Sequence, residues 1–239
     1  MKKYVVGASL GLVLAASTGA SQAAEVTLTG WAFGSGNSVQ AGGAAVQTGS
    51  YNGLAGGFRG TLSAAGLFNT TSFLTYCIEL EESFFFSADA MRGYSIVGGA
   101  SYFEGRRVSN SNRPDGANTA ERLGQLMSWA ANDNTRVDSA SESTAMQLAV
   151  WNIVYDSDVS VSVSASATGA TFTDLSSYAA SATQMLQAAS TTANRFDVYA
   201  LVRAGKQDFV LTALRVPEPG SAALAGIALA GLLLARRRA

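Results

Sequence analysis

Histidine is absent from the 239 residues of this chain, which removes the side chain most often used for proton transfer near neutral pH. Ser-His-Asp and Cys-His catalysis are therefore excluded, and so is a zinc site built on imidazole. The sequence also lacks a phosphate-binding loop, a cluster of metal ligands and an internal repeat of useful length. We accordingly expect a protein that is not an enzyme and that needs neither a metal nor another cofactor.

Cysteine, lysine and net charge are also low in this chain. One cysteine, Cys77, allows no intramolecular disulfide. The formal net charge is −1, so electrostatics give no reason to expect nucleic acid as a partner. Lys206 is the only lysine outside the first three residues. Gly, Ser, Ala and Thr are abundant instead, a composition that is usual for secreted β-rich proteins but names no function.

The N-terminus has the order of features that is typical of a secretory signal peptide. A positively charged start at residues 1–3 precedes an apolar segment at residues 5–16, and small residues at Ser21 and Ala23 fit a signal-peptidase site. We predict cleavage after Ala23, with Ala24 as the second choice, so that residues 1–23 are removed. The alternative is a buried N-terminal helix, which would not require this order of charge, apolar run and small residues.

The C-terminus has three parts, each of which suits a membrane-associated tail. They are the motif Val216-Pro217-Glu218-Pro219, an apolar run from Ser221 to Ala235, and a cluster of Arg236, Arg237 and Arg238. The apolar run is short, but a tilted helix or a locally thinned bilayer would allow it to span. The terminal arginines favour a cytoplasmic C-terminus, which leaves the body of the protein outside the inner membrane. A helix of the protein core is the alternative.

This three-part tail resembles the PEP-CTERM sorting signal, which would occupy residues 216–239. The resemblance implies recognition and cleavage by an exosortase, and it implies a Gram-negative, often exopolysaccharide-producing host. The protein would then be held briefly in the inner membrane by its C-terminal transmembrane helix. After processing, it would reach the outer surface or the extracellular matrix.

Residues 24–215 remain between the two ends, which is enough for one sizeable core. Strand-like alternation precedes and follows a helical stretch. It predicts an α+β domain, a β-rich sheet or barrel with a helical insertion of two to three helices. The predicted strands are Glu25–Ala32, Gly57–Leu62, Ser72–Leu80, Gly93–Val97 and a closing hairpin of Phe196–Val202 and Phe209–Val216, with a short strand at Phe84–Phe86 and a loose hairpin or loops at Gly34–Gly49.

Three segments have helical periodicity. They are Thr119–Ala131, with Asn118 or Thr119 as N-cap, a helix from about Ser141 to Asp156, and a helix within Asp174–Asn194. The second helix is apolar nearly all round from Met146 to Tyr155, so we expect it to be buried.

Two short motifs point to a specific chemistry. Cys77 stands in Tyr76-Cys77-Ile78, within a strong predicted strand, and Gln147 stands in Met146-Gln147-Leu148-Ala149-Val150-Trp151. The pair resembles the thioester domains of bacterial surface adhesins, in which an aromatic-Cys-apolar segment supplies a thiol and an apolar-Gln-x-x-apolar-Trp segment supplies a carbonyl. The order of the motifs is the same here, and this cysteine is the only one in the chain.

The resemblance implies an internal thioester between Cys77 and Gln147. An extracellular amine- or hydroxyl-bearing partner, or an exopolysaccharide, would then be captured covalently in a single use of the bond. Such a bond would also protect a lone exported thiol from oxidation. Because thioesters hydrolyse in water, aromatic shielding is expected, and the candidates are Tyr76, Trp151 and Tyr155.

Plainer interpretations stay open at this point. A lone cysteine in an apolar strand is commonly a small buried hydrophobic residue, and a helical glutamine is commonly solvated or bonded to a nearby backbone group. Strand alternation puts Glu79 and Glu81 on the Cys77 face and Glu82 opposite, which favours a solvated edge over an acid–base pair. The competing function is a non-covalent structural or polysaccharide-binding component of the biofilm matrix.

Overall fold

The computed structural model describes residues 22–43, 50–64, 70–80, 82–84, 86, 91–104, 116–156, 158–161 and 172–215. Residues 1–21 of the predicted signal peptide, which was expected to span residues 1–23, and the sorting tail from residue 216 lie outside this range. Also outside it are residues 44–49 of the predicted loose segment, Glu81, and residues 162–167, which follow the second predicted helix. Within the described ranges, no helix is long and apolar enough to cross a membrane.

Strands come first and last in the chain, with the helices between them. The elements are β1 Gln22–Trp31, β2 Asn37–Gly42, β3 Ser50–Ala55, β4 Phe58–Ala64, β5 Thr70–Thr75, β6 Met91–Gly98, α1 Gly99–Phe103, α2 Gly116–Ala131, α3 Ala140–Tyr155, β7 Thr173–Asp174, α4 Ala179–Ala189, β8 Phe196–Arg203 and β9 Lys206–Leu214. This order confirms the predicted α+β class and the closing hairpin.

The main sheet has six strands in the order β5-β4-β1-β6-β8-β9, and each neighbouring pair is antiparallel. Side chains alternate between core and solvent along these strands. In β4, Phe58 and Leu62 are buried whereas Arg59 and Thr61 are exposed, as a sheet with one face on a core requires. A second sheet, of order β3-β2-β7, packs against α3 through β2 and β3.

The chain after β5 nearly closes the main sheet into a barrel. Cys77 forms an isolated antiparallel bridge with Phe209 of β9. On either side of it, Val210 N donates to Tyr76 O at 3.0 Å and Ile78 N donates to Asp208 O at 3.0 Å. We call this junction of residues 76–78 with β9 the seam. The strand predicted for Ser72–Leu80 is therefore shorter than expected, because regular pairing with β4 ends at Thr75 and the chain turns to β9.

The helix α3 is the most buried element of the described chain, as its apolar pattern predicted. Every residue from Ser143 to Tyr155 is buried. The helix contacts α2 and α4 on one side and the β2–β3 hairpin on the other. Two of its buried polar residues bond to the chain at the β3–β4 turn: Ser143 Oγ accepts from Gly57 N at 2.7 Å and Thr144 Oγ1 donates to Ala55 O at 2.8 Å.

The start of α3 differs from the sequence-based expectation. Ser139, and not Ser141, is the N-cap, since Glu142 N donates to Ser139 Oγ at 3.3 Å and Ser139 N donates to Glu142 Oε2 at 3.1 Å. This is a capping box of the form Ser-x-x-Glu. The spacing was present in the sequence and could have been recognised there.

Replacing Ser139 with alanine is expected to lower the free energy of unfolding by about 0.5–2 kcal/mol, because the first turn of α3 loses its side-chain acceptor. The matched control is Ser141→Ala, an exposed serine in the same turn. Equilibrium denaturant unfolding of both variants measures the difference. Equal stability of the two would show that the capping box contributes nothing.

The helix α2 begins at Gly116, earlier than predicted, so Asn118 and Thr119 lie inside its first turn and are not caps. A glycine is required at this start. A Cβ on Gly116 would collide with the backbone of α1, at Ala100 O and Glu104 N. The close approach of α1 and α2 therefore explains why the helix extends toward the polar segment before it.

Candidate functional site

The side chain of Gln147 pairs with the backbone of Cys77. Cys77 N donates to Gln147 Oε1 at 2.9 Å, and Gln147 Nε2 donates to Cys77 O at 2.8 Å. The two residues are 70 positions apart in the chain, and both are buried, with exposed fractions of 6% and 1%. The structure thus brings together the two residues that the sequence motifs singled out.

The seam explains why this amide is needed. The peptide groups on either side of Cys77 bond to β9, so the N–H and C=O of Cys77 itself point the other way. In that direction lies α3, a helix with no free backbone edge to offer. The Gln147 amide has one donor and one acceptor, and it takes the place of a neighbouring strand.

The surroundings keep Cys77 protonated and its partner polarised. Burial raises the pKa of the Cys77 thiol well above its ordinary value, and the negative charge of Glu79 raises it further. The Cys77 N–H bonded to Gln147 Oε1 draws electron density toward that oxygen. A donor in this position also stabilises negative charge on the same oxygen if the carbonyl carbon is attacked.

A cavity of about 300 Å³ opens beside Cys77 and Gln147. Six of the described lining residues are aromatic, and five carry a carboxylate, an aliphatic hydroxyl or an amide. The lining residues are Trp31, Tyr51, Leu54, Phe58, Cys77, Glu79, Glu82, Ser83, Phe84, Phe86, Gln147, Trp151 and Gln207. The aromatic rings contact one another, for example Tyr51 with Trp151 at 5.2 Å and Phe58 with Phe84 at 4.7 Å between centroids.

The three aromatic residues predicted to shield the site occupy different places. Trp151 lines the cavity. Tyr76 points to the other side of the seam, where it lines a second cavity of about 800 Å³. Tyr155 accepts a hydrogen bond from Leu80 N at 3.1 Å, which fixes the chain just beyond Cys77. The shielding role of these side chains stays a prediction, and the geometry favours Trp151 for it.

Sequence reasoning missed most of the aromatic wall. Trp31 and Tyr51 come from β1 and the β2–β3 hairpin, far from either motif. Phe84 and Phe86 were interpreted as part of a short strand, but Phe84 lies outside any strand and both rings pack on Phe58. The run of phenylalanines was a signal for a buried apolar cluster, without indicating which cavity it lines.

Three carboxylates meet at one end of the cavity. Ligand oxygens of Glu79, Glu82 and Asp208 all lie within 4.8 Å of one another. Asp208 is held by Tyr102 Oη, which donates to it at 2.8 Å, and by Arg203 N, which donates to it at 2.9 Å. The expectation that Glu82 lies opposite Glu79 is wrong, because the chain leaves strand geometry after Thr75 and alternation no longer applies. Both glutamates are half-buried.

The carboxylates are also the one group among the described residues with the spacing of a metal site. Oxygen ligands of this kind suit a hard cation such as Ca²⁺. Nothing else around the three side chains points to a cation, and we assign no metal to them.

Comparison with known proteins identifies the C-terminus. Residues 215–238 match the family model of the PEP-CTERM protein-sorting motif. The chain therefore carries this sorting motif, as the resemblance of the tail implied. A search of curated proteins finds no match to the chain.

Two solved structures resemble the body of the chain. The N-terminal thioester domain of a surface protein from Clostridium perfringens, in a Cys-to-Ala variant, is 12% identical with a TM-score of 0.43, and the match covers 74% of this chain and 99% of that one. The N-terminal domain of the Streptococcus pyogenes pilus tip adhesin Cpa is 11% identical with a TM-score of 0.39, over 74% of this chain and 94% of that one. At such low identity, we base the functional proposal on this chain's own residues.

Proposed function

We propose that this chain is an exported surface protein in which residues 24–215 form an adhesin-like domain with an internal thioester between Cys77 and Gln147. The observation that carries the proposal is the reciprocal pairing of the Gln147 amide with the Cys77 backbone. It supports the proposal because the Gln147 side chain and the residue that carries the only thiol of the chain are in direct contact, in a buried site with a donor on the carbonyl oxygen.

Formation of the bond requires attack of Cys77 Sγ on Gln147 Cδ. The carbonyl oxygen gains negative charge in the intermediate, and the Cys77 N–H stabilises it. The bond from Cδ to Nε2 then breaks, and Nε2, which already carries two hydrogens, takes up one proton and leaves as ammonia. The thiol proton balances the reaction, so that a carboxamide and a thiol become a thioester and ammonia.

Capture is a second acyl transfer, in which the Gln147 acyl group moves from the Cys77 sulfur to a new nucleophile. An amine or hydroxyl of an extracellular partner attacks the thioester carbonyl, becomes bonded to Gln147 Cδ, and releases the Cys77 thiol. The bond is used once and no turnover follows. The aromatic wall around Trp151 restricts water, which would otherwise consume the thioester by hydrolysis.

The purified domain is expected to be lighter than its sequence mass by one ammonia. Methylamine should add to Gln147 and expose one thiol on Cys77, and both effects should vanish in Cys77→Ala. Intact mass before and after methylamine, with peptide mapping, measures this. Full sequence mass with a freely alkylated Cys77 in fresh native protein would contradict the thioester, and a non-covalent surface or biofilm-matrix protein would then be the better description.

The sorting motif gives a second expected result. We propose that the apolar run after Pro219 holds the precursor in the inner membrane until an exosortase removes the tail, and that the mature protein reaches the cell surface or matrix of a Gram-negative host. Replacing Pro217, Glu218 and Pro219 with alanine should leave full-length precursor in the membrane fraction. Ser221→Ala, beside the motif, is the control. Normal processing of the triple variant would show that the exosortase does not recognise the motif.

A further inference from the structure

The Cys77–Gln147 site needs a group that accepts a proton. Burial keeps the cysteine as a neutral thiol, because it raises the pKa of Cys77 well above its ordinary value. A thiol is a poor nucleophile, so its proton must move as Sγ attacks. The chain contains no histidine, the usual acceptor near neutral pH. Another side chain at the cavity has to take that role.

The described lining of the cavity offers few titratable groups besides Cys77 itself. They are Tyr51, Glu79 and Glu82. Tyr51 is unsuitable, because burial raises its pKa to about 12, and its hydroxyl donates to Leu54 O at 3.1 Å. Glu79 lies two positions after Cys77 in the chain, and its charge acts on the thiol. Of the two carboxylates, Glu79 is therefore the one with a direct connection to Cys77.

Neighbouring groups hold Glu79 in place. Gln207 Nε2 donates to Glu79 O at 3.1 Å, which ties this residue to β9. Tyr102 Oη lies 2.8 Å from Asp208 Oδ2 and 3.5 Å from Glu79 Oε1, so the tyrosine hydroxyl lies between two carboxylates. Asp208 also accepts a hydrogen bond from Arg203 N, which fixes its carboxylate beside Glu79.

Charges on the adjoining strands also act on this group. Glu82 stands beside Glu79. Tyr94 of β6 interacts electrostatically with Arg203 of β8, and also with Asp208, Glu82 and Cys77. The Glu79 carboxyl therefore lies among two further carboxyls and shares a cavity with the Cys77 thiol, and a positioned carboxylate of this kind suits proton transfer.

We propose that Glu79 is the proton-transfer residue of the Cys77–Gln147 site, an inference that rests on the proposed thioester. The Glu79 carboxylate accepts the thiol proton as Sγ bonds to Cδ. It passes that proton to Nε2 as the Cδ–Nε2 bond breaks, so ammonia leaves and Glu79 is again ionised. In capture, Glu79 takes a proton from the attacking amine and gives it to the departing sulfur of Cys77.

The test uses Glu79→Gln, which keeps the shape of the side chain and removes its proton acceptor. Treatment with ammonia reopens the thioester and restores the Gln147 amide. After ammonia is removed, re-formation of the bond is followed by intact mass over a range of pH. Glu79→Gln is expected to slow re-formation by about 100-fold or more, the usual contribution of a positioned base. It should also remove the rise of the wild-type rate with pH. Glu104→Gln, an exposed glutamate on the same protein, is the control.

A second variant covers the case in which Glu79→Gln folds poorly. Tyr102→Phe removes the hydroxyl between the two carboxylates and keeps the ring. Tyr102 Oη also donates to Glu79 Oε1 at 3.5 Å, and loss of this donor disfavours the ionised form of Glu79. The pH midpoint of re-formation should therefore move upward while the bond still forms. A change in stability alone would not move this midpoint.

The outcomes separate the two proposals. A wild-type domain of full sequence mass would overturn the thioester, and Glu79 with it. A wild-type domain with the ammonia deficit, combined with a Glu79→Gln variant that re-forms the bond at the wild-type rate and pH profile, would overturn only the role of Glu79. Loss of the pH-dependent rate in a natively folded Glu79→Gln variant supports it.

Discussion

Replacing Gln147 with alanine is expected to lower the free energy of unfolding by about 3–5 kcal/mol. The change removes the hydrogen-bond partners of the Cys77 N–H and C=O, and each buried group left unsatisfied costs about 1–3 kcal/mol. The missing amide also leaves a cavity in a fully packed helix, which adds to the cost. The effect should appear as a lower midpoint in equilibrium denaturant unfolding.

Two comparisons make this result specific. Gln184→Ala applies the same change to an exposed glutamine of α4 and should be nearly neutral. Making Gln147→Ala in a Cys77→Ala background separates the hydrogen bonds from any cross-link, which would itself contribute roughly 2–4 kcal/mol. If Gln147→Ala in that background matched Gln184→Ala, the amide would not support the seam.

Replacing Phe209 with alanine is expected to cost about 3–5 kcal/mol, as is usual for a fully buried aromatic ring. Its centroid lies 5.3 Å from that of Phe84, 6.1 Å from Tyr94 and 6.2 Å from Phe58. Phe209 is also the bridge partner of Cys77, so its loss loosens the seam. We expect faster alkylation of Cys77 in the unreacted form, in addition to lower stability.

Leu214→Ala is the matched control, since Leu214 lies on the same strand with 63% of its surface exposed. Unfolding experiments and the rate of thiol alkylation measure the two effects separately. A stable Phe209→Ala variant with an unchanged alkylation rate would show that β9 does not hold the seam closed.

Local patterns were sufficient where a single segment determines its own environment. The all-round apolar character of α3 predicted its burial, and the closing hairpin predicted for Phe196–Val202 and Phe209–Val216 is present as β8 and β9, with the second strand beginning earlier, at Lys206. The Cys77 and Gln147 motifs were identified in the sequence, and the structure places them together. The tail was also identified by its three parts, of which the family match covers residues 215–238.

The rest depends on contacts between distant segments, which periodicity does not report. The strand predicted to reach Leu80 ends at Thr75, because the chain leaves β4 there and pairs with β9. This partner is distant in the sequence, since Thr75 Oγ1 donates to Val210 O across 135 positions. The carboxylate group needs Asp208 beside Glu79 and Glu82, and only the barrel closure brings that about. The β2–β3 hairpin, in a stretch rich in Gly and Ser, gave too weak an alternation to be assigned as strands.

The seam also determines at which stage of synthesis and folding the site forms. Its residues are drawn from the early strands, from α3 and from the last hairpin, so the pocket is assembled only after nearly the whole domain has been synthesised and has folded. In an unfolded precursor Cys77 and Gln147 are separated by 69 intervening residues and no such pocket exists. For the proposed thioester, this means that the bond would form only after export and folding, and that the reactive group would not meet amines in the cytoplasm.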